Sequence, residues 1–156
     1  MKYACVHETP LGPMTLVEQD GALVEARFDR RFMPGETPAQ TPLLTETQAQ
    51  LDEYFQGRRR DFTVALNPQG TPFCLRCWQA LRRIPYGCTI TYGMQAEAVG
   101  QPKACRAVGR ANHLNPLPLF IPCHRVVGKD GKLVGYAGGL EIKQALLALE
   151  YNNKGE

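Results

Sequence analysis

The 156-residue sequence has no apolar run approaching the ~18 residues that a membrane-spanning helix needs. Its start, Met1-Lys2-Tyr3-Ala4-Cys5-Val6-His7, carries no long apolar core of the kind a secretory leader has. No segment repeats along the chain, which excludes a solenoid, and there is no low-complexity tract. Charge of one sign is not in great excess either: 18 Lys+Arg stand against 15 Asp+Glu, a net +3. So mild a charge neither demands nor excludes nucleic acid, and the placement of the cations has to decide. Cys74-Leu75-Arg76-Cys77 is a C-x-x-C without a second pair nearby, which argues against a zinc ribbon. Cys5 and His7 share one side of a strand, too few ligands for a metal site. The expectation is a cytoplasmic protein without membrane contact, metal or cofactor, whose six cysteines are reduced thiols.

What is present divides near Asn67-Pro68-Gln69-Gly70, so the expected domains are residues 1–69 and 70–156. The first third reads as strands at Tyr3–His7, Met14–Gln19 and Ala22–Phe28, with Asp20-Gly21 as a tight hairpin turn. A loop over Met33–Pro42 and a helix over Leu43–Gln56 follow. Beyond the boundary, Thr71-Pro72 pairs a capping oxygen with a proline at the first helical position. Met94–Val99, a turn at Gly100-Gln101-Pro102, and Lys103–Asn112 give a helix-turn-helix order. A final helix covers Leu140–Tyr151. The expected fold class is α+β: a small N-terminal sheet with a helix, then a mostly helical C-terminal domain.

On the second helix of that pair, Lys103, Arg106 and Arg110 fall on one flank at about 100° per residue. Ala104, Val108 and Ala111 form an inward side, and Ala107 leaves the exposed flank with little bulk. Such a face can approach a groove while its cations meet phosphates. An ordinary solvated helix surface would show the same pattern.

Shortly downstream lies Ile121-Pro122-Cys123-His124-Arg125-Val126-Val127-Gly128. A thiol becomes a nucleophile as thiolate, and a histidine can take its proton, the more readily if a carboxylate holds the other ring nitrogen. A buried structural thiol among Ile121, Val126 and Val127 is the competing reading. A zinc ligand or a thiol hydrolase built on Cys123 and His124 are others.

The ordered set "GTPFCLRCWQALRRIPYG", "TYG", "PKACRAVGRANHLNPLP", "IPCHRVVG", "GYAGGL" and "LLALE" resembles the O6-alkylguanine-DNA alkyltransferases. The resemblance implies direct-reversal DNA repair, a single transfer of the alkyl group from O6-alkylguanine, and from O4-alkylthymine, in double-stranded DNA to Cys123. It implies a protein monomeric in solution. By the same resemblance Glu150 orients His124, a water relays the proton from Cys123, and Asn115 braces the loop before the cysteine. Arg106 replaces the flipped nucleotide in the stack, with Lys103, Ala107, Arg110 and Tyr92 at the DNA. Tyr92 donates to guanine N3, carbonyls of Cys123 and Val126 read the exocyclic amine, and the N–H after Tyr136 binds O6. Ala137 stands where many members have serine, which removes a hydroxyl but keeps that N–H. Met94-Gln95-Ala96 replaces the usual Glu-Leu-Ala and is expected to alter only local packing. The alternative on the same motifs is a non-catalytic binder of alkylated DNA.

Overall fold

A computed structural model describes residues 1–136 and 138–155. It forms two compact units, divided between Gln69 and Gly70. The first is a four-stranded sheet with a helix. Strands β1 (Lys2–Thr9), β2 (Gly12–Gln19), β3 (Ala22–Arg27) and β4 (Glu36–Pro38) lie in the order β3-β2-β1-β4. Asp20 (φ 53°) and Gly21 (φ 80°) both take positive φ, the turn that matches the twist of the antiparallel β2 and β3.

Strand β4 lies inside the segment expected to be loop. It is three residues long and pairs in parallel with β1 at the sheet edge, where a proline costs no ladder bond to a further strand. Helix α1 (Pro42–Phe55) starts at Thr41, whose hydroxyl accepts from Leu44 N–H at 3.1 Å. Leu44, Leu51 and Tyr54 are buried in this unit. The sequence pairing of Cys5 and His7 resolves into separate environments: Cys5 is buried, and His7 Nε2 lies 2.7 Å from Asp52 Oδ1.

The second unit holds α2 (Pro72–Leu81), α3 (Tyr92–Ala98), α4 (Cys105–His113) and α5 (Leu140–Asn153). Two-residue strands β5 (Ile90–Thr91) and β6 (Val126–Val127) pair in parallel. The hydroxyl of Thr71 accepts from Cys74 N–H at 3.1 Å and caps α2. Thr71→Ala is expected to cost about 1 kcal/mol, measurable as a lower denaturant midpoint with an unchanged slope. Both cysteines of the C-x-x-C, Cys74 and Cys77, are buried along α2. Trp78 on the same helix donates its indole N–H to Ala111 O at 2.8 Å and ties α2 to the end of α4.

The helix-turn-helix order is present with shifted boundaries. Thr91, not a residue near Met94, caps α3 through a 3.2 Å bond from Met94 N–H, so Tyr92 is the first helical residue. Helix α4 begins at Cys105 because Ala104 sits at φ −98°, ψ 33°, held in a turn by its N–H to Gln101 O. Lys103 therefore lies in the turn before α4 and leaves the helical flank on which it was expected. No helix among the described residues is long and apolar enough to cross a membrane.

Candidate active site and DNA-facing helix

Cys123 opens a single 3-10 turn, Cys123–Arg125, which joins the preceding loop to β6. The turn separates the two neighbouring side chains, as consecutive positions in a helical turn must. Cys123 lines a cavity of about 340 Å3, whose other walls include Tyr92, Arg106, Asn112, Val134 and Tyr136. His124 points away from solvent altogether, with 0% exposure. Its Nε2 lies 2.7 Å from Glu150 Oε2.

The loop before the cysteine is braced from inside. Asn115 donates its amide to Ile121 O at 2.9 Å and accepts from Leu117 N–H at 2.9 Å. Between them Leu119 holds a φ of 79°, a left-handed conformation that a leucine keeps only when its surroundings impose it. Leu119 is itself buried, which supplies that constraint.

Electrostatically the site is a buried network centred on the Glu150 carboxylate. Glu150, 1% exposed, receives Arg125 Nε at 2.8 Å and Arg125 Nη2 at 3.0 Å as a fork, besides His124. Gly87 N–H adds a longer bond of 3.4 Å to Oε1. Burial would raise the Glu150 carboxyl, but the hydrogen bonds and charges of His124 and Arg125 overcome it and hold it at about 2. Arg125 also donates Nη1 to Ile84 O at 2.7 Å, so this guanidinium is fixed on both sides. Burial lowers the His124 imidazole below its ordinary value, although Glu150 pulls the other way, which favours the neutral ring. Its Nδ1 is buried with no hydrogen-bond partner among the described residues.

Burial pushes the Cys123 thiol up to about 11, against a lowering hydrogen bond from Asn115 and the charge of Lys143. A thiol so placed rests mainly protonated near neutrality, so reaction requires a base that removes its proton as the bond forms. The neutral His124, with Nδ1 unengaged and Glu150 behind it, has the attributes of that base.

The loop closing the cavity is held by a lysine. Lys143, fully buried on α5, donates Nζ to Val134 O at 2.8 Å and approaches Gly135 O at 3.4 Å. No carboxylate pairs with it among the described residues. The same Val134 carbonyl accepts from the Tyr92 hydroxyl at 3.2 Å, so one oxygen joins the start of α3 to α5.

Of the residues singled out in the sequence, Cys123, Tyr92, Arg106 and Tyr136 meet around the cavity. His124, Glu150 and Asn115 form its support. Val126 is buried in β6, and its N–H is bonded to Cys123 O. Lys103, Ala107 and Arg110 are exposed and stand outside the cavity wall. Ala137 lies outside the described residues.

Arg125 and Lys143 were given no role by sequence reasoning. The available signal was spacing: Lys143, Leu146 and Glu150 recur on one face of α5, and two of these three buried residues are ionisable. Met94-Gln95-Ala96 was expected to alter only local packing. Gln95 is fully buried and bonds to Asn112, a residue of the cavity wall.

This is the architecture of a protein that presents a buried, supported thiol in the wall of a pocket beside a helix pair of the DNA-reading type. The chain belongs to the 6-O-methylguanine DNA methyltransferase family. Residues 72–152 match the family's DNA binding domain and residues 1–68 its ribonuclease-like domain. The chain is 46% identical to the constitutive methylated-DNA–protein-cysteine methyltransferase of Bacillus subtilis, with 96% of each chain covered. It is 44% identical to the methylated-DNA–protein-cysteine methyltransferase of Methanosarcina acetivorans, covering 95% of this chain and 97% of that one. Among solved structures, the Mycobacterium tuberculosis O6-methylguanine methyltransferase superposes with a TM-score of 0.90 at 41% identity, covering 98% of this chain and 94% of that one. The same protein of that organism in complex with DNA matches with a TM-score of 0.90, covering 97% and 94%.

Proposed function

We propose that this protein is a direct-reversal DNA-repair enzyme, a methylated-DNA–protein-cysteine methyltransferase that takes the alkyl group from O6 of guanine in double-stranded DNA onto Cys123. The observation that carries this reading is the position of Cys123: it lines a cavity and adjoins a histidine fixed by a buried carboxylate–arginine network. The bond formed is Cys123 Sγ to the alkyl carbon, and the bond broken is that carbon to O6. The thiol proton passes to His124, through a water at the otherwise unengaged Nδ1. The departing guanine is stabilised by the Tyr92 hydroxyl, which turns from Val134 O to ring N3; any proton given there is regained from solvent, and the proton taken up by His124 is released to solvent. The product is a neutral guanine and a thioether. A thioether is a poor leaving group, so each molecule acts once.

The guanine O6 is inaccessible within a stacked duplex, so the nucleotide has to turn out of the helix into the cavity. Arg106 is exposed and lies at the cavity rim, which suits it to fill the vacated place, with Lys103 and Arg110 meeting phosphates. Arg106→Ala is therefore expected to slow transfer from duplex DNA by roughly tenfold or more, since extrusion costs a few kcal/mol. The loss should be smaller for the free base O6-methylguanine, which needs no extrusion. Parallel single-turnover rates on the two substrates check this; equal losses on both would remove Arg106 from the extrusion step.

A further inference from the structure

One charged side chain of the buried network takes no part in the bond-making step: Arg125. Its three bonds come from three different nitrogens. Nε donates to Glu150 Oε1 at 2.8 Å, Nη2 to Glu150 Oε2 at 3.0 Å, and Nη1 to Ile84 O at 2.7 Å. The guanidinium carbon also lies 5.7 Å from the centre of the Tyr86 ring. A lysine could not reproduce this set, because a single ammonium cannot span both carboxylate oxygens and a carbonyl in these directions.

His124 and Glu150 are both closed off from solvent. A carboxylate so buried carries a large desolvation cost, which a cation or a bound proton beside it can offset. Arg125 supplies that positive charge permanently, whereas His124 could supply it only by taking a second proton. For catalysis the two are not equivalent. A doubly protonated ring cannot receive the proton of Cys123. A neutral ring with its hydrogen on Nε2, towards Glu150, keeps the lone pair of Nδ1 for it. Lys143 on α5 is the other cation facing His124, and its bonds go to the carbonyls of Val134 and Gly135. Tyr136 and Cys123 face the same region, and burial keeps both neutral near neutrality.

Resting on the alkyltransferase reading above, we propose that Arg125 is the positioning residue that holds His124 in its neutral, proton-accepting form. Its fork satisfies the Glu150 carboxylate, which would otherwise draw a proton from solvent onto the imidazole. The fork also fixes the plane of the carboxylate, and with it the ring nitrogen that carries the hydrogen. The electrostatics agree in direction. Burial depresses the imidazole below its ordinary 6.5, Glu150 opposes this, and the charges of Arg125 and Lys143 add to the depression.

The test is the pH dependence of single-turnover methyl transfer to Cys123 at saturating duplex DNA containing O6-methylguanine. In the unmodified protein the rate should fall on the acid side only below 6.5, where His124 gains its second proton. Arg125→Met removes the charge, and the acid limb should move up by about one pH unit or more. Arg125→Lys keeps a charge without the fork. Its limb should stay near the parental position while its plateau rate falls roughly tenfold. Circular-dichroism melts establish which variants are folded at the assay temperature. An arginine that merely ties the fold together would lower the rates and leave the limb in place. An unmoved limb in folded Arg125→Met therefore overturns the inference, as does a parental plateau in Arg125→Lys. Should Arg125→Met not fold, nitrogen-15 spectra of the histidine rings in the unmodified protein decide. A neutral His124 with its hydrogen on Nε2 down to about pH 6 supports the inference, and a second proton taken up at or above 6.5 overturns it. Failure of the unmodified protein to take a methyl group would overturn the alkyltransferase reading instead, and the ring spectra would still judge the charge balance at His124.

Discussion

Glu150→Gln is expected to destabilise the C-terminal unit by about 3–5 kcal/mol and to slow alkyl transfer roughly a hundredfold or more. Among the described residues the carboxylate is the only anion bonded to Arg125 and His124, all three being buried. Its removal leaves a buried guanidinium with no countercharge, and an amide cannot accept both arms of the fork, because half of it donates. The imidazole loses the partner that fixes its tautomer, so its proton can occupy the nitrogen that should receive one from Cys123.

The same change should reshape the acid limb of stability. Glu150 is held at about 2 in the folded state against an ordinary 4.5, so the unfolded chain binds the proton first as pH falls. Its contribution, on the order of 3 kcal/mol, is complete above about 4.5 and disappears as pH drops towards about 2. Burial of neutral His124 acts in the same direction below its ordinary 6.5. Chemical denaturation at a series of pH values should therefore show a steep acid decline in the unmodified protein and a shallower one in Glu150→Gln. Coincident slopes would contradict the assignment of the decline to this carboxyl.

Lys143→Met should separate stability from activity in the opposite sense. A buried ammonium without a carboxylate carries a desolvation cost, and methionine fills a similar volume, so the variant is expected within about 1 kcal/mol of the parent or above it. Transfer should nevertheless slow roughly tenfold or more, because the lost charge-assisted bond to Val134 O is worth about 1.5–3 kcal/mol. That bond and the Tyr92 bond to the same oxygen hold the loop that closes the cavity. Amide hydrogen exchange over residues 132–136 should quicken in the variant while α2 and α4 remain protected. Transfer at the parental rate with unaltered exchange would show that the lysine merely fills space.

Much of this molecule could be read from its residue pattern, and the exceptions have physical causes. Capping oxygens at Thr41 and Thr71 are local signals, and both caps form as local chemistry dictates. Asp20-Gly21 is equally local, and its two positive φ angles need no distant partner. The start of α4 was misplaced because nothing in Lys103-Ala104-Cys105 marks a cap, and Ala104 offers no side-chain bond. Strand β4 escaped notice because three residues ending in proline become a strand only by meeting the edge of β1.

In the site, Cys123, His124 and Asn115 stand close in sequence or within a matched motif, whereas Glu150 was reachable only through family resemblance. Arg125 was visible yet given no task, since its partners Ile84 and Glu150 are remote along the chain. Lys143 looked like an ordinary cation on an alanine- and leucine-rich helix, and its burial is set entirely by tertiary packing. Gln95 and Asn112, 17 positions apart, give no signal until α3 and α4 meet.

The most direct test of the central assignment is intact-protein mass spectrometry after incubation with excess duplex DNA containing O6-methylguanine, followed by peptide mapping. The account predicts a gain of one methyl group per molecule, no further gain with time, and the methyl group on the peptide carrying Cys123. A methyl group that persists in Cys123→Ala, or repeated turnover without a stable mass gain, would contradict it.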